Sequence, residues 1–216
     1  MCYQTRLIKK REEMMQRFNA EMNDLLDYNP IEFCSAFDYP STPVITNDNA
    51  KEIQLFNWGL VPDWSQDMQI RKYTLNARIE TLDEKPSFKN VIHNRCLVIA
   101  DGFYEWQWLT KSGSKKNKYL ITLPDEELFG FAGIYSKWVD FDGSVFNSYS
   151  IITTEANDLM SEIHNTKKRM PVILKKEDEN DWLQGKSVEA FKLPYQTELE
   201  ATALFKPNDS QLGLFD

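Results

Sequence analysis

At 216 residues, with 42% hydrophobic and 13% aromatic side chains, the chain is long enough to bury one sizeable core, and its eight glycines and nine prolines exclude collagen-like and low-complexity classes. No apolar run approaches the length of a membrane-crossing helix. The 33 acidic against 25 basic residues, a net charge of -8, argue against wholesale nucleic-acid binding but leave room for a local basic groove.

Three cysteines without a CxxC spacing argue for a reducing compartment rather than a disulfide framework. Residues 1–18 are charged and amphipathic, without the apolar centre of a secretion signal, so a soluble cytoplasmic protein is expected. In chain order, Tyr3–Ile8 reads as a strand. Lys9–Asp27 reads as a helix with Met14, Met15, Phe18, Met22, Leu25 and Leu26 on one stripe. Pro30, Pro40 and Pro43 cut the next stretch into short extended pieces. Glu52–Pro62 reads as a strand, Asp63–Lys72 as a loop and Pro86–Asn94 as a short helix. Arg95–Ala100 has the continuous apolar character of a buried strand. A turn at Asp101-Gly102 leads into the alternating strand Phe103–Leu109, and a hairpin tip at Lys111–Lys115 into Tyr119–Leu123. Leu128–Val139 and Val145–Thr153 form a hairpin across Asp142-Gly143. Glu155–His164 is helical, Pro171–Leu174 is a strand, and Lys176–Leu183 and Val188–Leu193 are short helices. Residues 1–204 thus form one α+β domain, followed by a polar tail at 205–216.

Chemistry concentrates in four places. Cys2 follows a removable Met1, and a Cys at the mature start carries an α-amine and a thiol two carbons apart. The amine can form a Schiff base with an aldehyde, and the thiol can close on that imine as a five-membered thiazolidine. The same residue also suits a small buried core position. Asn76-Ala77-Arg78 pairs an orienting amide with a phosphate-matching fork, or else is a capped surface turn. Glu105, on an alternating strand among bulky aromatics, fits a proton shuttle with a raised pKa, or a strand-edge carboxylate paired with a lysine. His164 precedes Lys167, Lys168 and Arg169, a setting that favours the neutral ring, and equally fits a helix C-cap. His93 reads as structural. His93 and Cys96 lack a second ligand pair, so no metal is expected, and with phosphate-loop and Rossmann glycine patterns missing no cofactor is expected either.

The ordered segments Met1-Cys2, Trp58-Gly59-Leu60-Val61-Pro62-Asp63-Trp64, Asn76–Thr81, Arg95–Trp106, Thr153–Asn157, and His164 with Arg169–Leu174 resemble the SOS-response-associated peptidase (SRAP) family. The resemblance implies a β-barrel-like core of short strands flanked by helices. It also implies a sensor of abasic sites in single-stranded DNA, whose N-terminal Cys forms a thiazolidine crosslink with the ring-opened sugar. Carried over by motif, Cys2 is the nucleophile, Asn76 orients the sugar, Glu105 assists ring opening and proton transfer, and His164 completes the pocket. Arg78, Arg6, Trp58, Trp64, Lys168 and Arg169 are the implied DNA contacts. The sequence departs from the family pattern at three points. Tyr3-Gln4-Thr5-Arg6 replaces the usual Gly-Arg after Cys, so that Arg6 stands in for the usual arginine. Ser65 replaces a second Trp. Three extra residues lie between His164 and Pro171.

Two other readings compete: an N-terminal-Cys hydrolase, which needs an oxyanion hole and turnover, and a non-covalent single-stranded DNA-binding module. Lysines 111, 115, 116 and 118 and the cations 167–169, 175 and 176 supply basic clusters on an acidic protein. The tail ends Gln211-Leu212-Gly213-Leu214-Phe215-Asp216, which resembles the Gln-Leu-x-Leu-Phe peptide of proteins that dock on the bacterial sliding clamp. A monomer is expected, with no membrane partner.

Overall fold

A computed structural model describes residues 2–204, and among them the chain forms twelve strands and three α-helices. In order these are β1 (Gln4–Leu7), α1 (Arg11–Phe18), β2 (Ile31–Ser35), β3 (Ser41–Thr46), β4 (Asn49–Trp58), β5 (Asn76–Arg78), β6 (Arg95–Ala100) and β7 (Gly102–Trp108). There follow β8 (Lys116–Thr122), β9 (Phe129–Val139), β10 (Val145–Glu155), α2 (Asp158–Ile163), β11 (Arg169–Pro171), α3 (Glu179–Leu183) and β12 (Glu200–Ala203). Short 3-10 turns connect several of them.

Five strands close on one another. β4 pairs with β3, β3 with β6, β6 with β9, β9 with β10, and β10 returns to β4, the last pair alone being parallel. Closure leaves no open edge in this ring. It also explains the uninterrupted apolar run of β6. Cys96, Val98 and Ala100 face one core cluster while Leu97 and Ile99 face another, so both faces of the strand are dry. Two short strands are hung on β10: β5 runs parallel to it and β11 antiparallel. A second sheet has the order β12-β8-β7-β1-β2. β10 and β1 thereby hold the segments that carry Asn76, His164 and Cys2.

The β9–β10 hairpin forms as expected, its turn closed by Asp140 N–H to Ser144 O and by Gly143 at φ 84°. Several elements differ from their sequence reading. The helix expected over residues 9–27 stops at Phe18, where Asn19 takes a left-handed conformation. The backbone of Glu21 then bonds Lys51 and Ile53, so Met22 reaches the core from an extended segment and Leu25 stands 91% exposed. The chain turns at Asp101-Gly102 as expected, and the turn carries it from one sheet to the other. β6 lies in the ring and β7 in the second sheet, and the chain crosses between them there. β12 was not foreseen. Residues 205–216 lie outside the described segment. Among the described residues no helix is long and apolar enough to cross a membrane.

Packing around β9 is tight enough to test. A Cβ on Gly133 would sit 2.7 Å from Cys96 Sγ and 3.0 Å from Val98 Cγ2. Gly133→Ala is expected to cost about 1–3 kcal/mol of stability. Adding Cys96→Ala to that variant is expected to recover part of the loss, a non-additivity read by urea denaturation of the two single variants and the double variant.

Candidate active site

β1 is set in the second sheet by Thr5 opposite Phe103 and Arg6 opposite Gly102. Each step back along an antiparallel strand is a step forward on its partner, so Glu105 falls beside residue 3 and next to Cys2. On the other side, β10 holds β5 in parallel register, Ile151 opposite Asn76. The Asn76 side chain donates from Nδ2 to the Cys2 carbonyl at 2.8 Å, and its own Oδ1 is buried without a hydrogen-bond partner among the described residues. β10 runs on to α2, capped at its start by Asn157, whose Oδ1 accepts from Met160 N at 2.9 Å. His164 follows directly after α2 and is buried. Its Nδ1 lies 2.7 Å from Arg169 O and 3.2 Å from Arg169 N. The shorter contact assigns the proton to Nδ1 and the lone pair to Nε2.

The electrostatics tie these groups together. Burial raises the Glu105 carboxyl to about 7, against the pull of the positive amino terminus. Burial, and then the charge of Glu105, push the Cys2 thiol far above its ordinary range. The same two causes, followed by Cys2 itself, raise Tyr3. His164 is lowered to about 4, first by burial, then by the amino terminus and, more weakly, by Lys167 and Arg169. The site at neutral pH therefore contains a neutral imidazole and a carboxyl near half-protonation. Cys2 is completely buried, and Met1 still precedes it in this sequence, so its nitrogen is an amide.

The implied DNA contacts divide into two groups. Arg78 and Lys168 are exposed, and Trp64 is 51% exposed with its Nε1 donating to Pro86 O. Arg78 is two residues from Asn76 on β5 and so lies on the same face of that strand. Lys168 sits in a left-handed conformation, φ 49°, its N–H bonded to His164 O. Arg6, Trp58 and Arg169 are instead inside the protein. Arg6 Nε bonds Asp101 Oδ1 at 2.8 Å. Trp58 is wholly buried, donates to Leu75 O and stacks on Tyr149. Arg169 grips Glu80 with two 2.8 Å bonds and donates to Thr153 O. Each is tied to partners within the protein. In the basic clusters Lys116 lies over Trp108, Lys118 over Tyr104 and Lys175 over Tyr195.

The described domain matches the family model for SOS response associated peptidase over residues 1–206. The chain belongs to that family. The abasic site processing protein YoqW of Bacillus subtilis is 38% identical over 196 residues, 88% of this chain and 83% of the relative. The abasic site processing protein HMCES of Mus musculus is 31% identical over 210 residues, 76% of this chain and 58% of that longer protein. Among solved structures, a Bacteroides thetaiotaomicron protein superposes with TM-score 0.84 at 35% identity, covering 94% of this chain and 92% of that one. A Bordetella bronchiseptica protein gives 0.78 at 26%, covering 95% and 100%.

In this SRAP domain the residue that sequence reasoning missed is Asp101. Wholly buried, it accepts from Arg6 and from the backbone N–H of Ile8 and Lys9 at 2.7 and 3.2 Å, pinning both side chain and backbone at the end of β1. Its partner lies 95 residues away, and no local pattern announces it. A cavity of about 500 Å³ between Arg17, Pro124, Lys176 and Glu198 includes none of the four site residues. Among the described residues no group of three or more His, Cys, Asp or Glu is placed to hold a metal.

The two shifted groups act oppositely on stability. Glu105, raised from 4.5 to about 7, contributes stability that is full below pH 4.5 and lost as pH rises through 7. His164, lowered from 6.5 to about 4, contributes stability present above pH 6.5 and lost as pH falls toward 4. In urea titrations, Glu105→Gln is therefore expected to improve relative to the parent as pH goes from 5 to 8. His164→Gln is expected to flatten the fall in stability below pH 6.5.

Proposed function

We propose that the protein is a covalent sensor of abasic sites in single-stranded DNA, reacting through Cys2 once Met1 has been removed. The observation that carries this reading is that Asn76 bonds the backbone of residue 2 and the Glu105 charge reaches its thiol, where an aminothiol can form, while His164 feels the charge of the amino terminus. Names of relatives that process abasic sites support the same substrate.

The chemistry proceeds in balanced steps. The closed sugar of an abasic site opens to a C1′ aldehyde when a proton reaches its ring oxygen, and Glu105 in its acid form supplies it. The Cys2 amine adds to C1′, and loss of one water gives the imine. The thiol then adds across the C=N bond; sulfur binds C1′ and the thiol proton ends on nitrogen. The product is a thiazolidine, and the overall change is aldehyde plus aminothiol giving ring plus water. A carboxyl near pKa 7 exchanges protons in both directions at neutral pH. Neutral His164 carries a lone pair that can accept the proton the amine must lose before it attacks. Asn76 keeps the backbone of residue 2 fixed, and its unsatisfied Oδ1 offers an acceptor to the sugar hydroxyl. Arg78 and Lys168 take flanking phosphates and Trp64 wedges against the strand.

Incubation with abasic single-stranded DNA followed by denaturing electrophoresis tests the reading. Mature parent protein is expected to give a persistent shifted band. Cys2→Ala and protein retaining Met1 are expected to give none, and Cys2→Ser only a reducible imine. A heat-stable adduct from Cys2→Ala overturns the proposal; cleavage of a peptide without adduct favours a hydrolase. Glu105→Gln is expected to slow crosslinking by roughly 10²–10⁴ with little change in DNA affinity. Arg78→Ala is expected to weaken binding and reduce its salt dependence.

We extend the proposal to the tail. Gln211, Leu212, Leu214 and Phe215 carry a peptide suited to weak, roughly micromolar docking on a bacterial sliding clamp. Titrating the clamp with the full chain is expected to show binding that a chain truncated after Lys206 has lost; equal binding by both removes the tail from this role.

A further inference from the structure

One apolar feature next to the site is used neither by the covalent chemistry nor by the phosphate contacts. The Tyr3 and Phe37 rings lie 5.0 Å apart, centroid to centroid, and Phe37 is 59% exposed. The backbone fixes this pair from both sides. Ala36 N–H donates to Tyr3 O at 2.8 Å, joining the 3-10 turn Ala36–Asp38 to the residue after Cys2. Ser35 Oγ caps that turn through Phe37 N–H, and Tyr39 closes it in a left-handed conformation, φ 51°. Tyr39 is itself covered by Arg71, whose guanidinium carbon is 4.2 Å from the ring centre. A large ring is thus held out into water on a turn with little freedom to fold away. Exposing it costs solvation without serving the core.

An abasic nucleotide has lost the part of DNA that most readily gives binding energy. A protein that seeks it must draw affinity from the neighbours, and stacking on an aromatic face is available from any base. We propose that Tyr3 and Phe37 form a stacking platform for the nucleobase flanking the abasic position. This rests on the covalent-sensor reading above and adds to it a contact that positions the strand over Cys2. Tyr3 feels the charges of Glu105 and Cys2, which sets the inner edge of the platform at the reacting groups. Phe37 forms its outer edge. Such a contact is indifferent to which base is present, so the sensor recognises a gap in any sequence.

The test uses mature full-length protein and single strands with one tetrahydrofuran residue, an abasic analogue that cannot open or crosslink. 2-Aminopurine is placed on its 5′ or its 3′ side. Binding is expected to quench the fluorophore at one of the two positions. Phe37→Ala is expected to bind about tenfold more weakly and to lose the quenching, while Phe37→Tyr restores both. Replacing the flanking base by a second tetrahydrofuran is expected to weaken parent binding by a similar factor and to leave Phe37→Ala unchanged. Absence of quenching at both positions, or equal affinities of parent and Phe37→Ala for the base-containing strand, overturns the platform. Crosslinking to a genuine abasic strand is scored separately. A crosslink without a fluorescence response discards the platform alone. A fluorescence response without any crosslink discards the covalent reading and leaves a non-covalent platform.

Discussion

Everything in the site depends on how the four residues Gln4–Leu7 are held, because the residue proposed to react stands just ahead of them. Short terminal segments fray unless tied down. Here the tie is the buried Asp101, which accepts from the Arg6 guanidinium and from two backbone N–H groups at the far end of the same strand. The pair is enclosed by the protein, Arg6 at 4% and Asp101 at 0% exposure. Removing one partner of such a pair strands a charge in a dry place, at about 3–5 kcal/mol. With β1 fixed, the register with β7 fixes Glu105, and the bond from Asn76 fixes the backbone of residue 2.

A second pair, buried at Arg169 and half-buried at Glu80, does the same work on the other wall. Arg169 and Glu80 meet through two parallel bonds, and Arg169 also takes Thr153 O on β10. This draws together the turn after β5 and the end of the loop that begins at His164. The loop contains three more residues than the family pattern, and it absorbs them with a left-handed Lys168 and with Asn165, which exchanges two hydrogen bonds with the Trp108 backbone. His164 is held because Arg169 bonds its ring through the backbone while its own side chain is fixed by Glu80. The overall negative charge is compatible with this arrangement, since Arg78, Lys167 and Lys168 are exposed beside the site.

Strands with a strong local signature were legible in the sequence. Arg95–Ala100 is apolar at nearly every position because both of its faces are buried, and the Asp142-Gly143 turn announces the β9–β10 hairpin. The end of α1 was not legible, since Met22 and Leu26 continue the helical stripe although the chain leaves the helix at Asn19. Cys2, Asn76, Glu105 and His164 could be singled out by type and motif, and the fold brings Asn76 and Glu105 to Cys2. The burial of Arg6, Trp58 and Arg169 could not be read. Residue type shows that an arginine can bind phosphate, but not that a carboxylate 89 or 95 residues away has already taken it.

The central claim is that residue 2 reacts through nitrogen and sulfur together, and intact mass spectrometry of the DNA adduct tests it most directly. The account predicts a mass equal to the protein without Met1 plus the abasic strand minus one water. It further predicts that peptide fragmentation places the modification on Cys2, with no borohydride needed to preserve it. An adduct on a lysine, or one recovered only after reduction of an imine, would contradict it.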